Sequence, residues 1–103
     1  MGWHEVPGAQ ALGEDEAMAA GPAERPVALC RSGGQLYAVH NVCTHQFALL
    51  SDGYVEEGVI ECPLHQGRFD LKTGAPRGAP VTEAVRVYPV KSENGKVYVE
   101  LPE

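Results

Sequence analysis

A chain of 103 residues, 44% hydrophobic and 21% charged, has an ordinary globular composition and length for one small domain, residues 1–103. Its net charge of −6 excludes a nucleic-acid binder, which needs a basic face, and an odd count of three cysteines excludes a complete disulfide framework. The opening MGWHEVPGAQALGEDEAMAA carries no secretory or twin-arginine signal, and no apolar run approaches the roughly 18 residues of a membrane helix, so a soluble, cytoplasmic, reduced protein is expected.

In chain order, WHEV reads as a strand of the terminal sheet system. ALGEDEAMAA, residues 11–20, is the one stretch that suggests a helical turn, or else an acidic loop. PVALCRSGGQLYAVH holds two β-prone runs around the turn Ser32-Gly33-Gly34. YVEEGVIEC turns near Glu57-Gly58, and RFDLKTG is a short strand ending in Lys72-Thr73-Gly74. TGAPRGAP, residues 73–80, is a stiff loop placed to fold over what precedes it. AVRVYPVKSENGKVYVEL is a hairpin about Asn94-Gly95, with Val97, Val99 and Leu101 alternating inward and Pro89 marking an edge strand or bulge. Many short strands with Gly and Pro turns predict an all-β fold, an antiparallel β-sandwich or small barrel.

Chemistry concentrates in residues 43–65. Cys43-x-His45 is followed, after residues 46–61, by Cys62-x-x-His65. Each pair follows a predicted strand, and Pro63 restricts the backbone inside the second loop. Two similar loops at neighbouring strand ends would clasp one metal site, and a bound metal would help stabilise so small a domain. Three readings compete. A structural zinc accepts this donor set, although zinc-finger spacing usually pairs Cys with Cys and His with His. Four metal-type residues could fall together by chance, but two compact pairs in a chain with so few argue against it. A 2Fe–2S cluster with two thiolates on one iron and two imidazoles on the other is the Rieske arrangement.

The stretch NVCTHQFALLSDGYVEEGVIECPLHQGRFDLKTGAP, and indeed the whole chain, resembles the small Rieske ferredoxins that feed bacterial aromatic-ring-hydroxylating oxygenases. The resemblance implies one Rieske-type 2Fe–2S cluster in two loops at one tip, with Cys43 and Cys62 on one iron and His45 and His65 on the other. Replacing two thiolates by neutral imidazoles makes the oxidised cluster formally neutral and raises its potential. The histidines would mark the exit for the electron. Respiratory Rieske proteins add a disulfide between the loops and hydroxyl donors to sulfur. Here those positions are Ala48 and Leu64 for the disulfide, and Gly67 and Phe69 for the hydroxyls. Without those donors the potential is expected low within the range of roughly −150 to +300 mV.

The same resemblance places Pro63, Gly67, Phe69 and Pro80 around the cluster, and His45, Gln46, His65 and Gln66 at the contact with a partner. Gln46 and Gln66 are as readily plain solvated loop residues. Cys30 reads as buried packing, His40 as a surface or structural residue, His4 as surface, and Arg68 as paired with an acidic neighbour such as Asp70 or simply exposed. The acidic GEDE and VEEG segments suit solvent, and a basic reductase surface second. The implied function is a monomeric electron carrier, not an enzyme, between an NAD(P)H-dependent flavoprotein reductase and a terminal oxygenase, binding no organic substrate itself. The alternative is the Rieske-like small subunit of another oxidoreductase such as assimilatory nitrite reductase. The catalytic oxygenase subunit itself is excluded by counting: beyond the two paired histidines only His4 and His40 remain for a mononuclear iron site.

Overall fold

In the computed structural model, which describes residues 2–44, 48–64, 66–78, 81 and 83–102, three antiparallel sheets stack around two apolar cores. The strands are β1 (Gly2–Glu5), β2 (Ala17–Ala20), β3 (Val27–Ser32), β4 (Gln35–His40), β5 (Tyr54–Glu56), β6 (Val59–Glu61), β7 (Arg68–Asp70), β8 (Val87–Tyr88), β9 (Val90–Glu93) and β10 (Lys96–Leu101). The sheets run β1-β10-β9, β2-β3-β4-β8 and β5-β6-β7. Single 3-10 turns occupy Ala9–Ala11 and Leu50–Asp52.

The central sheet is covered on both faces, and β3 shows why. Side chains alternate across a strand, so Val27 and Leu29 enter the core against Val97, Val99 and Leu101 of the terminal sheet. Ala28 and Cys30 enter the other core, with Ile60, Phe69, Leu71, Val81 and Val85. On β4, Ala38 and Val39 divide the same way. A strand buried on both sides reads as a continuous apolar run, as VALC does.

The hairpin turns at Gly33-Gly34, Glu57-Gly58 and Asn94-Gly95 all stand where the sequence predicts them, with positive φ at each of these residues. Strand β1 pairs with β10, as expected for the WHEV segment. Three expectations are corrected. Residues 11–20 contain no helix beyond the 3-10 turn that ends at Ala11; Ala17–Ala20 is strand β2, paired with β3, because an edge strand there completes the central sheet. The acids before it serve as local braces: Gly33 and Gly34 donate their amides to Glu14 at 2.5 and 2.9 Å, and Gly13 donates to Glu16 at 2.6 Å. These amide contacts hold the Glu14 carboxyl below its usual range. Of the two readings of Pro89 the bulge is dropped and the edge position stands: Val87–Tyr88 pairs with β4 and Val90–Glu93 with β10, each at the edge of its sheet, and Pro89, lacking an N–H, sits where the chain changes sheets. Arg68 pairs with Glu61 at 2.9 Å, not with Asp70, which takes Arg77 at 3.1 Å. Residues two apart on β7 share a face, but the cross-strand neighbour Glu61 lies directly opposite Arg68.

Residues 73–78 turn back along β7. Asp70 and Arg77 donate their amides to the carbonyls of Ala75 and Arg68, and Phe69 bridges to Pro76. Burial alone pushes the Asp70 carboxyl up, but the amides of Thr73 and Lys72 and the Arg77 guanidinium outweigh it and hold it below its usual value.

Gly53 lies tight against β6, beside the core that holds Leu50, Val55 and Ile60. Its backbone is extended, at φ −93, yet a Cβ there would overlap the Glu61 carbonyl oxygen. Gly95 has φ +76 and open space around it. Gly53→Ala should therefore cost about 3 kcal/mol through a clash with backbone that cannot yield, and Gly95→Ala only about 1 kcal/mol of conformational strain. Denaturant midpoints of the two variants check the order; equal losses would show that β5 and β6 can move apart.

Candidate metal centre

The two cysteine loops spring from different sheets and close in the same way. The first begins after β4, and the Cys43 amide donates to the Ala48 carbonyl at 3.0 Å. The second joins β6 to β7, and the Cys62 amide donates to the Gly67 carbonyl at 2.6 Å. Each amide thus reaches a carbonyl five residues on, and each loop carries one histidine of the sequence motif between those two residues. His45, Gln46, His65 and Pro80 themselves lie outside the described residues.

Cys43 and Cys62 are buried in one core, close enough for the Cys43 thiol to act on the ionisation of Cys62. Two loops therefore bring two thiols to one point. Burial pushes the Cys62 thiol up, and the neighbouring Cys43 thiol adds to this, while the Leu64 amide, donating to Cys62 sulfur, favours the thiolate. In these surroundings the Cys62 thiol resists ionisation. A cation that accepts two sulfur ligands reverses the balance, since a coordinated thiol is deprotonated outright. The donor chemistry thus fits an iron bound through two thiolates.

The surroundings show what the nearby residues do. Phe69 is fully buried in the core that holds both cysteines and forms an apolar wall behind them. Gly67 is placed by contact with a third loop: a Cβ on it would stand 2.5 Å from Val81 Cγ1. That contact, rather than close approach to sulfur alone, accounts for glycine at this position. The third loop also reaches the first, since the Thr44 hydroxyl donates to the Glu83 carbonyl at 3.0 Å. Pro63 and Leu64 are exposed at the second loop, and Leu49 beside the first is exposed as well. Gln66 is exposed in a left-handed backbone conformation, φ +59, as suits a residue on the rim.

Cys30 shares this core but lies on β3; burial pushes its thiol up to about 12, and its sulfur faces the Ala28 carbonyl at 3.9 Å. It packs. His40, at the end of β4, lies near Arg25 and Arg86; its own burial first and then those two charges lower its pKa. His4 is exposed on β1. Sequence reading missed Asn41 and Ser51, which hydrogen-bond each other across the base of the first loop; the only available signal was a polar residue just ahead of the cysteine motif.

The chain matches the model of the Rieske [2Fe-2S] domain over residues 2–89. It belongs to the Rieske [2Fe-2S] family. It is 48% identical over 99 residues to the anthranilate 1,2-dioxygenase ferredoxin subunit of Burkholderia cepacia, covering 96% of this chain and 92% of that one. It is 52% identical over 77 residues to the ferredoxin component of the naphthalene 1,2-dioxygenase system of Pseudomonas putida, covering 75% of this chain and 74% of that one. Among solved structures, a chain of the complex of reduced oxygenase and oxidized ferredoxin in carbazole 1,9a-dioxygenase superposes with a TM-score of 0.88 at 37% identity, over 94% of this chain and 91% of that one. The nitrite reductase small subunit (NADH-dependent) from Mycobacterium tuberculosis, with a TM-score of 0.83 at 24% identity over 95% of this chain and 93% of that one, shares the fold. The Rieske chain carries one 2Fe–2S cluster, which when bound supplies one-electron storage at a potential set by its ligands and the hydrogen bonds to its sulfurs.

Phe69→Tyr adds a hydroxyl in the wall behind the cysteines. A new donor to sulfur worth about 1–1.5 kcal/mol in the reduced state raises a one-electron potential by roughly 40–60 mV. A redox titration reads it, and an unchanged potential would show that the ring edge points away from sulfur. At Cys30, alkylation by iodoacetamide near neutral pH should be negligible in the folded protein and complete after unfolding, because the thiol stays protonated; labelling of the folded chain would show that β3 opens.

Proposed function

We propose that this chain is the ferredoxin of a multicomponent aromatic-ring dioxygenase or hydroxylase system. In this reading it is a soluble, cytoplasmic, monomeric electron carrier built as one cluster domain over residues 1–103. It takes one electron from an NAD(P)H-dependent flavoprotein reductase and delivers it to a Rieske non-haem iron oxygenase. The observation that carries the reading is the end-to-end likeness to a dioxygenase ferredoxin subunit at 48% identity. A related ferredoxin is seen with its oxygenase in the carbazole system, which supports the oxygenase as partner. The alternative, a nitrite reductase small subunit, rests on a likeness of 24% identity, which speaks for the fold alone.

Cys43 and Cys62 are proposed as ligands of one iron, and His45 and His65 of the other. The thiols are drawn from the core, so the cysteine side of the site is sealed by Phe69, Ile60 and Leu71. The histidine loops adjoin the exposed Pro63, Leu64 and Gln66. An electron therefore has its shortest route to a partner through the histidine side, and a small interface on that rim suits a carrier that must leave each partner quickly. Among the described residues no helix is long and apolar enough to cross a membrane.

The test is an anaerobic redox titration followed by EPR, then reconstitution with a dioxygenase reductase and oxygenase. A Rieske-type signal low in the range and product formation that requires this chain are expected; a clearly positive potential would turn the reading toward quinol chemistry. His65→Cys should abolish the signal or lower its potential strongly, because a thiolate adds negative charge to the cluster. An unchanged spectrum and potential would remove His65 from the ligand set.

A further inference from the structure

The two cysteine loops are held at their bases by different means. The second is the link of a hairpin: Glu61 and Arg68 are directly paired on β6 and β7, so a regular ladder carries it. The first is flanked by β4 on one side and the 3-10 turn Leu50–Asp52 on the other, with a lone bridge between Val42 and Leu49. Two backbone hydrogen bonds flank that bridge, the Cys43 amide to the Ala48 carbonyl and the Leu50 amide to the Asn41 carbonyl, so the pairing of its two ends is one bridge long.

Asn41 reinforces this short pairing with its side chain. It is buried, at 2% exposure, two residues before Cys43. Its side-chain oxygen accepts the Ser51 amide at 2.7 Å, and its side-chain nitrogen donates to the Ser51 hydroxyl at 2.9 Å. Its own carbonyl accepts the Leu50 amide at 2.7 Å, and its amide donates to the Pro26 carbonyl at 2.9 Å. Both ends of the loop and the turn before β3 thus meet on one residue. A buried amide side chain costs free energy unless its donors and acceptors are matched, and here both ends of the side chain find a partner.

We infer that the Asn41–Ser51 clamp is a positioning device for the first cluster loop: it fixes where the chain leaves β4 and where it returns, and so fixes the Cys43 thiol opposite Cys62. Asn41 touches no cluster atom in this account; it acts through Cys43. The inference rests on the proposed ligation by Cys43.

The test uses the cluster-loaded protein and three readouts: thermal midpoint, EPR line shape, and the rate of cluster loss to an iron chelator. Asn41→Ala should broaden the EPR lines and speed cluster loss about tenfold, in line with the effect of removing a residue that orients a metal ligand. Asn41→Asp keeps the acceptor for the Ser51 amide and should restore the line shape with loss within about twofold of the parent, while Ser51→Ala, which removes only the hydroxyl contact, falls between. A lowered thermal midpoint with parental line shape and loss rate in Asn41→Ala would overturn the inference, since the residue would then be structural only. Should Asn41→Ala not accumulate as folded protein, Ser51→Ala decides, and parental behaviour there overturns the inference. Cys43→Ser, run alongside, separates the two questions: retention of the Rieske signal in it would remove the ligand assignment whatever the clamp variants show.

Discussion

Two thiols must meet at one buried point although the loops that carry them leave different sheets. Cys43 follows a strand of the central sheet and Cys62 a strand of the small β5-β6-β7 sheet. The meeting point exists only because those sheets pack face to face through Ala28, Cys30, Ile60, Phe69 and Leu71. This core is at once the reason the chain folds and the back wall of the redox site. A change that shifts one sheet against the other moves one cysteine and not its partner. The second core, between the central and terminal sheets, supports the arrangement from behind without touching it. There Lys91 lies 4.5 Å above the Trp3 ring and closes the outer face with a contact worth about 0.5–1 kcal/mol at an exposed site.

The sequence displays what is local and hides what is not. Turn residues with positive φ announce their hairpins, so Gly33-Gly34, Glu57-Gly58 and Asn94-Gly95 are legible as letters. The cysteine and histidine pairs are legible too, because ligand spacing within a loop is a property of neighbours. Strand β2 is hidden: AMAA has weak β preference and becomes a strand only because β3 offers it an edge. The pairing of Arg68 is hidden for the same reason, since Glu61 is opposite it only once β6 and β7 align. Pro89 is visible as an interruption, but which sheet each flanking piece joins depends on packing at a distance.

Gly67 illustrates how one position is settled by two demands. Resemblance to the respiratory proteins shows the absence of a hydroxyl there, which bears on the potential. The structure shows that Val81 occupies the space a side chain would need. Packing of the third loop against the second therefore excludes a hydroxyl-bearing residue at position 67 unless Val81 moves. The missing hydroxyl and the close packing of Val81 on Gly67 are thus two sides of one contact.

The loops differ in how much of their rigidity is backbone. Around Cys62 it is nearly all backbone: the β6–β7 ladder, the Cys62 and Leu64 amides, and the bare glycine at 67. Around Cys43 the backbone pairing is shorter, the Val42–Leu49 bridge with the hydrogen bonds beside it, and side chains add to it: Asn41 with Ser51 at the base, and the Thr44 hydroxyl on the Glu83 carbonyl. Backbone ladders persist through most substitutions, whereas a side-chain clamp is lost with a single residue. The first loop is thus the half of the site that leans more on side chains.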